Sequence, residues 1–153
     1  MQLHGSGRIN SQGHLEIGGV DTCSLVDKYG SPLFVYDEGL IRDQCRRFHK
    51  ALSKSGLDYH ISYASKAFIC KELVRIMKEE DMGLDVVSVG ELYNAISVDF
   101  DSQKIHLHGN NKTEYEIGYA LENNIGCFVI DSLAENERLN RIGGQMGKRA
   151  KAL

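Results

Sequence analysis

The chain has 153 residues, 42% of them hydrophobic and 25% charged, as expected for about one soluble globular domain. Its net charge of −3 and the lack of a basic run argue against nucleic acid as a partner. No apolar run could span a membrane, and residues 1–19 hold no signal-peptide-like stretch, so we expect a cytoplasmic protein.

The sequence before its single proline, Pro32, predicts a β-rich segment. Residues 7–10 and 14–17 flank a Ser-Gln-Gly turn, a pattern typical of a β-hairpin. A short helix is predicted over residues 22–29, with Asp21 as its N-cap and Gly30 after its last turn.

A strand and a longer helix are predicted after Pro32. Residues 33–36 are apolar and predict the strand, and Asp37 is a plausible N-cap for a helix that extends to about residue 54. The apolar residues of this helix recur at spacings of four, three and four, which places them on one face. They are Ile41, Cys45, Phe48 and Leu52.

Strands and helices alternate regularly from residue 58 onward. Strands are predicted over residues 58–64, 83–87, 104–108 and 126–130, each followed by a helix, the first of them over residues 68–82. Three helices begin with a capping-box pattern, in which a hydroxyl residue and a Glu three positions later satisfy free amides of the first turn. The pairs are Ser88 with Glu91, Thr113 with Glu116, and Ser132 with Glu135.

Four successive βα units fit two α/β architectures, a doubly wound open sheet and the first half of a (β/α)8 barrel. Length favours the open sheet, because a whole barrel takes about 250 residues. However, no glycine-rich phosphate loop follows the first of these strands. Residues 147–153 also look like the approach to another strand, which the chain does not reach. These two observations favour the half barrel.

Polar residues lie at the carboxyl ends of the predicted strands, where parallel sheets collect binding and catalytic groups. Lys66 is the most unusual, because it directly follows an apolar strand. A lysine that attacks a carbonyl must be desolvated or lie near a cation, since a free amine has a pKa of about 10.4. Position alone leaves open an ordinary lysine whose stem packs on the strand. The others are Asp85, Ser88, His108, Asn110, Asn111 and Asp131.

The sequence predicts no metal site. The cysteines, at positions 23, 45, 70 and 127, form no CxxC pair, and we expect buried free thiols in a reducing compartment. His106 and His108 share one face of a predicted strand, but no third ligand accompanies them.

Five sequence motifs occur in order along the chain, namely YGSPLFVYD at 29–37, YASKAF at 63–68, DVVSVGEL at 85–92, HGNNK at 108–112 and VIDS at 129–132. Together they resemble the amino-terminal half of the diaminopimelate decarboxylases, pyridoxal-phosphate enzymes of fold type III with an alanine-racemase-like barrel. The likeness covers essentially the whole chain and implies that residues 1–32 belong to a β domain and residues 33–153 to half of the cofactor-binding (β/α)8 barrel.

The resemblance implies that Lys66 binds the aldehyde of pyridoxal 5′-phosphate, and that diaminopimelate then displaces it and loses carbon dioxide to give lysine. Asp85, Glu91 and His108 match family positions near the cofactor. Asp85 could instead serve a helix dipole, and Glu91 a capping box. Val89 departs from the family, which usually has glycine there. A small amino-acid substrate and a homodimer are also implied.

Other pyridoxal-phosphate barrel decarboxylases, which act on ornithine, arginine or carboxynorspermidine, share the lysine motif. A non-catalytic pyridoxal-phosphate carrier is a further alternative, and the HGNNK motif and amino-terminal matches favour diaminopimelate. In the resembled family, the groups that hold the phosphate, stack on the ring and face the pyridine nitrogen come later than residue 153. The resemblance therefore implies little or no activity for this chain by itself.

Overall fold

The computed structural model describes Leu3 and residues 5–153, which divide into two compact units, residues 1–55 and 56–153. The first unit begins with an antiparallel sheet in the order β1 (Arg8–Ile9), β2 (Leu15–Ile17) and β3 (Val20–Asp21). The β1–β2 hairpin confirms the prediction. Strand β3 is not predicted by the sequence, because two residues are too few to show a periodicity.

Helix α1 (Thr22–Tyr29) has the predicted bounds and caps. The Asp21 carboxylate accepts a hydrogen bond from the Cys23 amide at 2.8 Å and lies 2.9 Å from the ring nitrogen of His14. These hydrogen bonds, with that of His14 the largest, lower the pKa of Asp21 from 3.8 to about 2. The N-cap therefore stays charged well below neutral pH.

The predicted strand over residues 33–36 is wrong, because these residues are irregular and no described strand pairs with them. Their side chains are exposed, that of Phe34 to 88%. Helix α2 (Glu38–Leu52) begins at the predicted cap, Asp37, and ends in a 3-10 turn at Ser53–Ser55. Of its four predicted apolar positions, only Cys45 is buried.

The second unit is a parallel sheet whose strands follow the order of the sequence. The helices are α3 (Lys71–Glu79), α4 (Val89–Ile96), α5 (Glu114–Glu122) and α6 (Leu133–Met146). The number and order of these strands are as predicted, but all four strands, and the helix after the first of them, are shorter than predicted. The strands are β4 (Ser62–Ala64), β5 (Gly83–Val86), β6 (Ile105–Leu107) and β7 (Cys127–Phe128).

The strand order decides between the two predicted architectures. A doubly wound sheet reverses its order at a switch point, whereas β4 to β7 run without reversal, as in a βα barrel. One face of the sheet forms the core with the helices, and its side chains are at most 1% exposed. These side chains are Leu84, Val86, Ile105, Leu107 and Phe128.

The final residues of the chain pair with β7. Phe128 donates its amide to the Lys151 carbonyl and accepts from the Leu153 amide, and Ile130 donates to the Leu153 carbonyl, each at 2.9 Å. The bridge between Phe128 and Ala152 is parallel. The chain therefore makes the first hydrogen bonds of a fifth strand, which the sequence analysis expects it not to reach.

Only one of the three predicted capping boxes is complete, that of Thr113 and Glu116. Ser88 and Ser132 cap their helices as predicted. However, the carboxylate of Glu91 accepts from the Val87 amide at 2.8 Å, one residue before the cap. Glu135 reaches the Asp131 amide in the same way, at 3.0 Å. Both glutamates therefore fasten the end of a strand to the helix that follows it.

None of the described helices combines the length and the apolar character that crossing a bilayer requires.

Candidate active site

Lys66 lies in a 3-10 turn, Ser65–Ala67, that directly follows β4. The Tyr63 hydroxyl donates a hydrogen bond to the Phe68 carbonyl at 2.8 Å and so bridges the two ends of this turn. Ser65 is buried, whereas Lys66 is exposed and makes no ion pair with the described residues. The backbone of Lys66 is therefore fixed while its amine remains accessible.

Asp85 lies on β5 in register with Ala64 of β4 and His106 of β6. It alternates with Leu84 and Val86, so its side chain lies on the face opposite the helix-covered core. Cys127 of β7 continues this row. Asp85 is thus inside β5, as the predicted strand over residues 83–87 implies, and its neighbours in register come from the two adjacent strands.

Two imidazoles lie beside the Asp85 carboxylate. The nitrogens His106 Nδ1 and His108 Nε2 are each 3.5 Å from Asp85 Oδ1. This distance is too long for a hydrogen bond, and Oδ1 is a buried atom with no hydrogen-bond partner among the described residues. The ring of His60 lies 5.2 Å from that of His106, centroid to centroid. A carboxylate flanked by imidazoles is therefore available to a polar ligand.

Burial lowers the pKa of His106 below its ordinary value of 6.5, because the charged ring is poorly solvated. The negative charge of Asp85 raises the pKa by a smaller amount, and His60 and His108 lower it. His106 is therefore neutral at pH 7, and its contact with Asp85 is a polar contact between a neutral ring and a carboxylate.

The structure brings some predicted site residues together and leaves others apart. Asp85 and His108 are neighbours, and Glu91 holds the carboxyl end of β5 through Val87. No hydrogen bond or ion pair joins Lys66 to Asp85 or Glu91 within the described part of the chain. The remaining loop residues, Asn110, Asn111 and Asp131, are exposed after β6 and β7.

His60 is a further candidate site residue, which none of the sequence motifs contains. The signal is the period-2 alternation of the predicted strand, which puts His60, Ser62 and Ala64 on one face. The structure shows why residue 83 is a glycine, since a Cβ there would lie 2.3 Å from His60 Nε2. The missing side chain of Gly83 makes the room that this imidazole occupies.

A separate group of possible metal ligands lies in the first unit. Ligand atoms of His14, Asp21 and Cys23 all lie within 4.8 Å of one another. Both Asp21 oxygens already accept hydrogen bonds, one from the Cys23 amide and the other from Asn10. The carboxylate thus serves the N-cap of α1, which explains the cluster without a metal.

The residues present fit the reactive end of a carbonyl cofactor. An aldehyde requires an accessible amine, which Lys66 offers at the carboxyl end of a parallel strand. The buried oxygen Oδ1 of Asp85, which has no hydrogen-bond partner in the described part of the chain, is an acceptor one register row before the turn of Lys66. The fold is therefore that of a βα-barrel protein, and Lys66 is the candidate reactive residue at this edge of its sheet.

Residues 38–150 match the family model of the pyridoxal binding domain of pyridoxal-dependent decarboxylases, and the chain belongs to this family. It is 54% identical over 134 residues to the diaminopimelate decarboxylase of Staphylococcus aureus, covering 88% of this chain and 32% of that protein. The diaminopimelate decarboxylase of Bacillus subtilis is 50% identical over 135 residues, covering 88% and 31%. The chain thus spans about a third of these relatives.

The solved structures similar to this chain include diaminopimelate decarboxylases as well. The diaminopimelate decarboxylase of M. jannaschii superposes with a TM-score of 0.89 at 33% identity, over 96% of this chain and 35% of that one. That of Helicobacter pylori, solved with L-lysine, gives a TM-score of 0.77 at 26% identity, over 86% and 33%. The expected barrel family and its pyridoxal cofactor are therefore confirmed.

Proposed function

We propose that this chain is the amino-terminal part of a diaminopimelate decarboxylase, which converts meso-diaminopimelate to L-lysine and carbon dioxide. The observation that carries the proposal is the accessible amine of Lys66 on a turn fixed at the carboxyl end of β4. The relatives named above support the choice of substrate, as does the L-lysine bound in the H. pylori structure.

In this proposal Lys66 would hold pyridoxal 5′-phosphate through the aldehyde of the cofactor. The bound cofactor would supply an electron sink for the pair released when carbon dioxide leaves. Asp85 and His108 provide an acceptor and an imidazole on the cofactor-facing side of the sheet. Glu91 keeps the end of β5 in place through its hydrogen bond to Val87.

The remaining parts of the proposal concern the whole protein. Residues 1–32 contribute to a β domain and residues 33–153 to the first half of the barrel. The complete protein is a cytoplasmic homodimer that takes a small amino-acid substrate and uses neither nucleic acid nor a membrane as a partner. The sheet supports a partial barrel, because the β4 strand has a neighbour on one side only among the described residues.

Borohydride trapping on the complete product of the gene that carries this sequence tests the role of Lys66. With pyridoxal phosphate, reduction should leave a pyridoxyl group on the peptide that contains Lys66. The variant Lys66→Ala should lose this label and its decarboxylase activity. Lys71→Ala is the matched control, because Lys71 is an exposed lysine five residues away in the first turn of α3. It should keep both label and activity.

A substrate panel separates the alternatives. Release of carbon dioxide from diaminopimelate, with little from ornithine or arginine, supports the proposal. A reversed preference would assign the chain to another barrel decarboxylase. The lysine/ornithine decarboxylase of Vibrio vulnificus, at 23% identity, shares the fold alone. Label on Lys66 with no turnover of any of these substrates would indicate a pyridoxal-phosphate carrier instead.

A further inference from the structure

Lys112 and Glu135 form a buried ion pair next to the proposed site. Their side chains are 2% and 6% exposed, and Lys112 Nζ lies 2.5 Å from Glu135 Oε1. Lys112 belongs to the loop between β6 and α5, four residues after His108, and Glu135 lies in the first turn of α6. Two elements that are far apart in the sequence therefore meet through two buried charges.

The Lys112 ammonium also binds the backbone at the ends of two strands. It donates to the Gly109 carbonyl at 2.7 Å and to the Val129 carbonyl at 2.6 Å. Gly109 follows His108 directly, and Val129 follows β7 directly. Together with the ion pair to Glu135, these carbonyls give the ammonium three polar neighbours. One side chain thus connects the carboxyl ends of β6 and β7 to α6.

The network extends on both sides of the pair. Glu135 accepts from the Asp131 amide through its other oxygen at 3.0 Å. Arg138, one turn further along α6, donates to the Lys112 carbonyl at 2.6 Å. The loop that begins with His108 is therefore bound to α6 through both the side chain and the backbone carbonyl of Lys112.

Stability alone does not explain these charges. Desolvating two charges is costly, and apolar residues of similar volume often stabilise a protein as well as a buried ion pair does. Apolar side chains cannot bind the Gly109 and Val129 carbonyls, however. Gly109 has a φ of 108°, a backbone conformation that L residues rarely adopt. The chain beside His108 thus has an unusual local conformation that the ammonium holds.

We infer that Lys112 and Glu135 are positioning residues, which fix the loop at the end of β6 so that His108 lies beside Asp85. The expected effect on kcat rests on the proposed function, in which His108 lies on the cofactor-facing side of the sheet. Neither Lys112 nor Glu135 contacts the substrate in this account. Their effect on the reaction passes through the backbone of Gly109 and the ring of His108.

The test compares single and double substitutions in the complete gene product. Lys112→Met leaves Glu135 buried without a partner, so this variant should lose stability or fail to fold. The double variant Lys112→Met with Glu135→Leu removes both charges at similar volume and should recover the melting temperature. If the pair positions the loop, kcat of the double variant remains lowered about tenfold or more, since small displacements in a site are costly.

Hydrogen exchange without cofactor supplies a second readout, independent of activity. The His108 amide donates to Val86 at 2.8 Å, and the Val129 amide donates to Leu107 at 2.9 Å. Both amides should exchange at least about tenfold faster in the double variant, because their strand ends are no longer tied. If the double variant recovers stability and also has wild-type kcat and wild-type exchange, the pair is merely structural and the inference is overturned.

Lys148→Met is the matched control. Lys148 also donates to two backbone carbonyls, those of Leu121 at 2.7 Å and Glu122 at 3.0 Å, but before the amino end of β7. Its loss should lower stability without changing kcat or exchange at His108. A wild-type protein with no pyridoxyl label on Lys66 would refute the proposed function, whereas the exchange experiment would still decide the positioning role.

Discussion

His106 shows how neighbours on adjacent strands set the chemistry of a single residue. Burial lowers the pKa of its ring, and Asp85, 3.5 Å away on the next strand, opposes that shift. From the sequence, His106 is only one half of a possible metal pair with His108. Its position beside a carboxylate depends on the register between β5 and β6, which no local pattern contains.

The substitution Asp85→Asn should lower the pKa of His106 further, because it removes the charge that raises it. NMR titration of the ring in the complete gene product, assigned with His106→Gln, measures this shift. Asp131→Asn is the control, since Asp131 is exposed after β7 and should leave the His106 titration unchanged. An increase of the His106 pKa in Asp85→Asn would contradict the account.

The same shift predicts a pH dependence of stability. The folded state favours the neutral form of His106. The stability that this residue contributes is therefore present above pH 6.5, the ordinary pKa of histidine, and is lost as the pH falls from 6.5 towards the lower pKa of the folded state. The loss should extend to lower pH in Asp85→Asn, where the folded-state pKa is lower still. Urea denaturation between pH 5 and pH 8, about the range in which histidine titrates, measures it.

At the scale of the elements, close approach between backbones limits which residues are possible. Gly126 precedes β7 and donates its amide to the Ser102 carbonyl at 2.7 Å. A Cβ at this position would lie 2.0 Å from the Gln103 carbonyl oxygen, which is backbone and has little freedom to move. This glycine is therefore required by the contact between two chain segments rather than by a turn.

Gly126→Ala should lower the free energy of unfolding by about 2 kcal/mol, as expected for overpacking of a close contact. Gly118→Ala provides the opposite case, since Gly118 lies inside α5 and a Cβ there meets nothing within 4 Å. It should stabilise the protein by about 0.5 kcal/mol, through the higher helix propensity of alanine. Urea midpoints of both variants measure the two effects, and equal midpoints would refute the steric argument.

The predicted helices also show what local sequence can specify. Each cap at Asp21, Asp37, Ser88, Thr113 and Ser132 is found where the sequence places it, because a cap depends on residues within one turn. The carboxylates of Glu91 and Glu135 instead bind amides one residue before the cap. The amide that each carboxylate binds depends on where the preceding strand ends, and strand ends are set by pairing with other strands.

For the whole molecule, the strand order and the exposed apolar surface predict the behaviour of the isolated chain. Strand β4 has one paired edge among the described residues, and several large apolar side chains are exposed. Unpaired edges and apolar patches promote association. Leu33, Phe34, Phe48, Leu57 and Leu133 are examples, with exposed fractions between 40% and 88%.

The 153-residue polypeptide expressed by itself should therefore form large assemblies in light scattering and should not decarboxylate diaminopimelate. The chain spans only about a third of its curated relatives, so we expect Lys66 without the rest of such a protein to give no turnover. Intact mass spectrometry must match 153 residues for the measurement to count. A monodisperse preparation with measurable turnover would overturn both expectations.

The sequence by itself determined the βα repeat, the helix caps and Lys66 at the end of the first parallel strand, because these depend on periodicity and on neighbours along the chain. Its motifs also indicated the decarboxylase family, which the comparisons confirm. Only the tertiary structure decided the uninterrupted strand order, the imidazoles around Asp85 and the buried pair of Lys112 and Glu135. These features join residues on separate strands and helices, and their distances follow from register and packing, which local patterns do not encode.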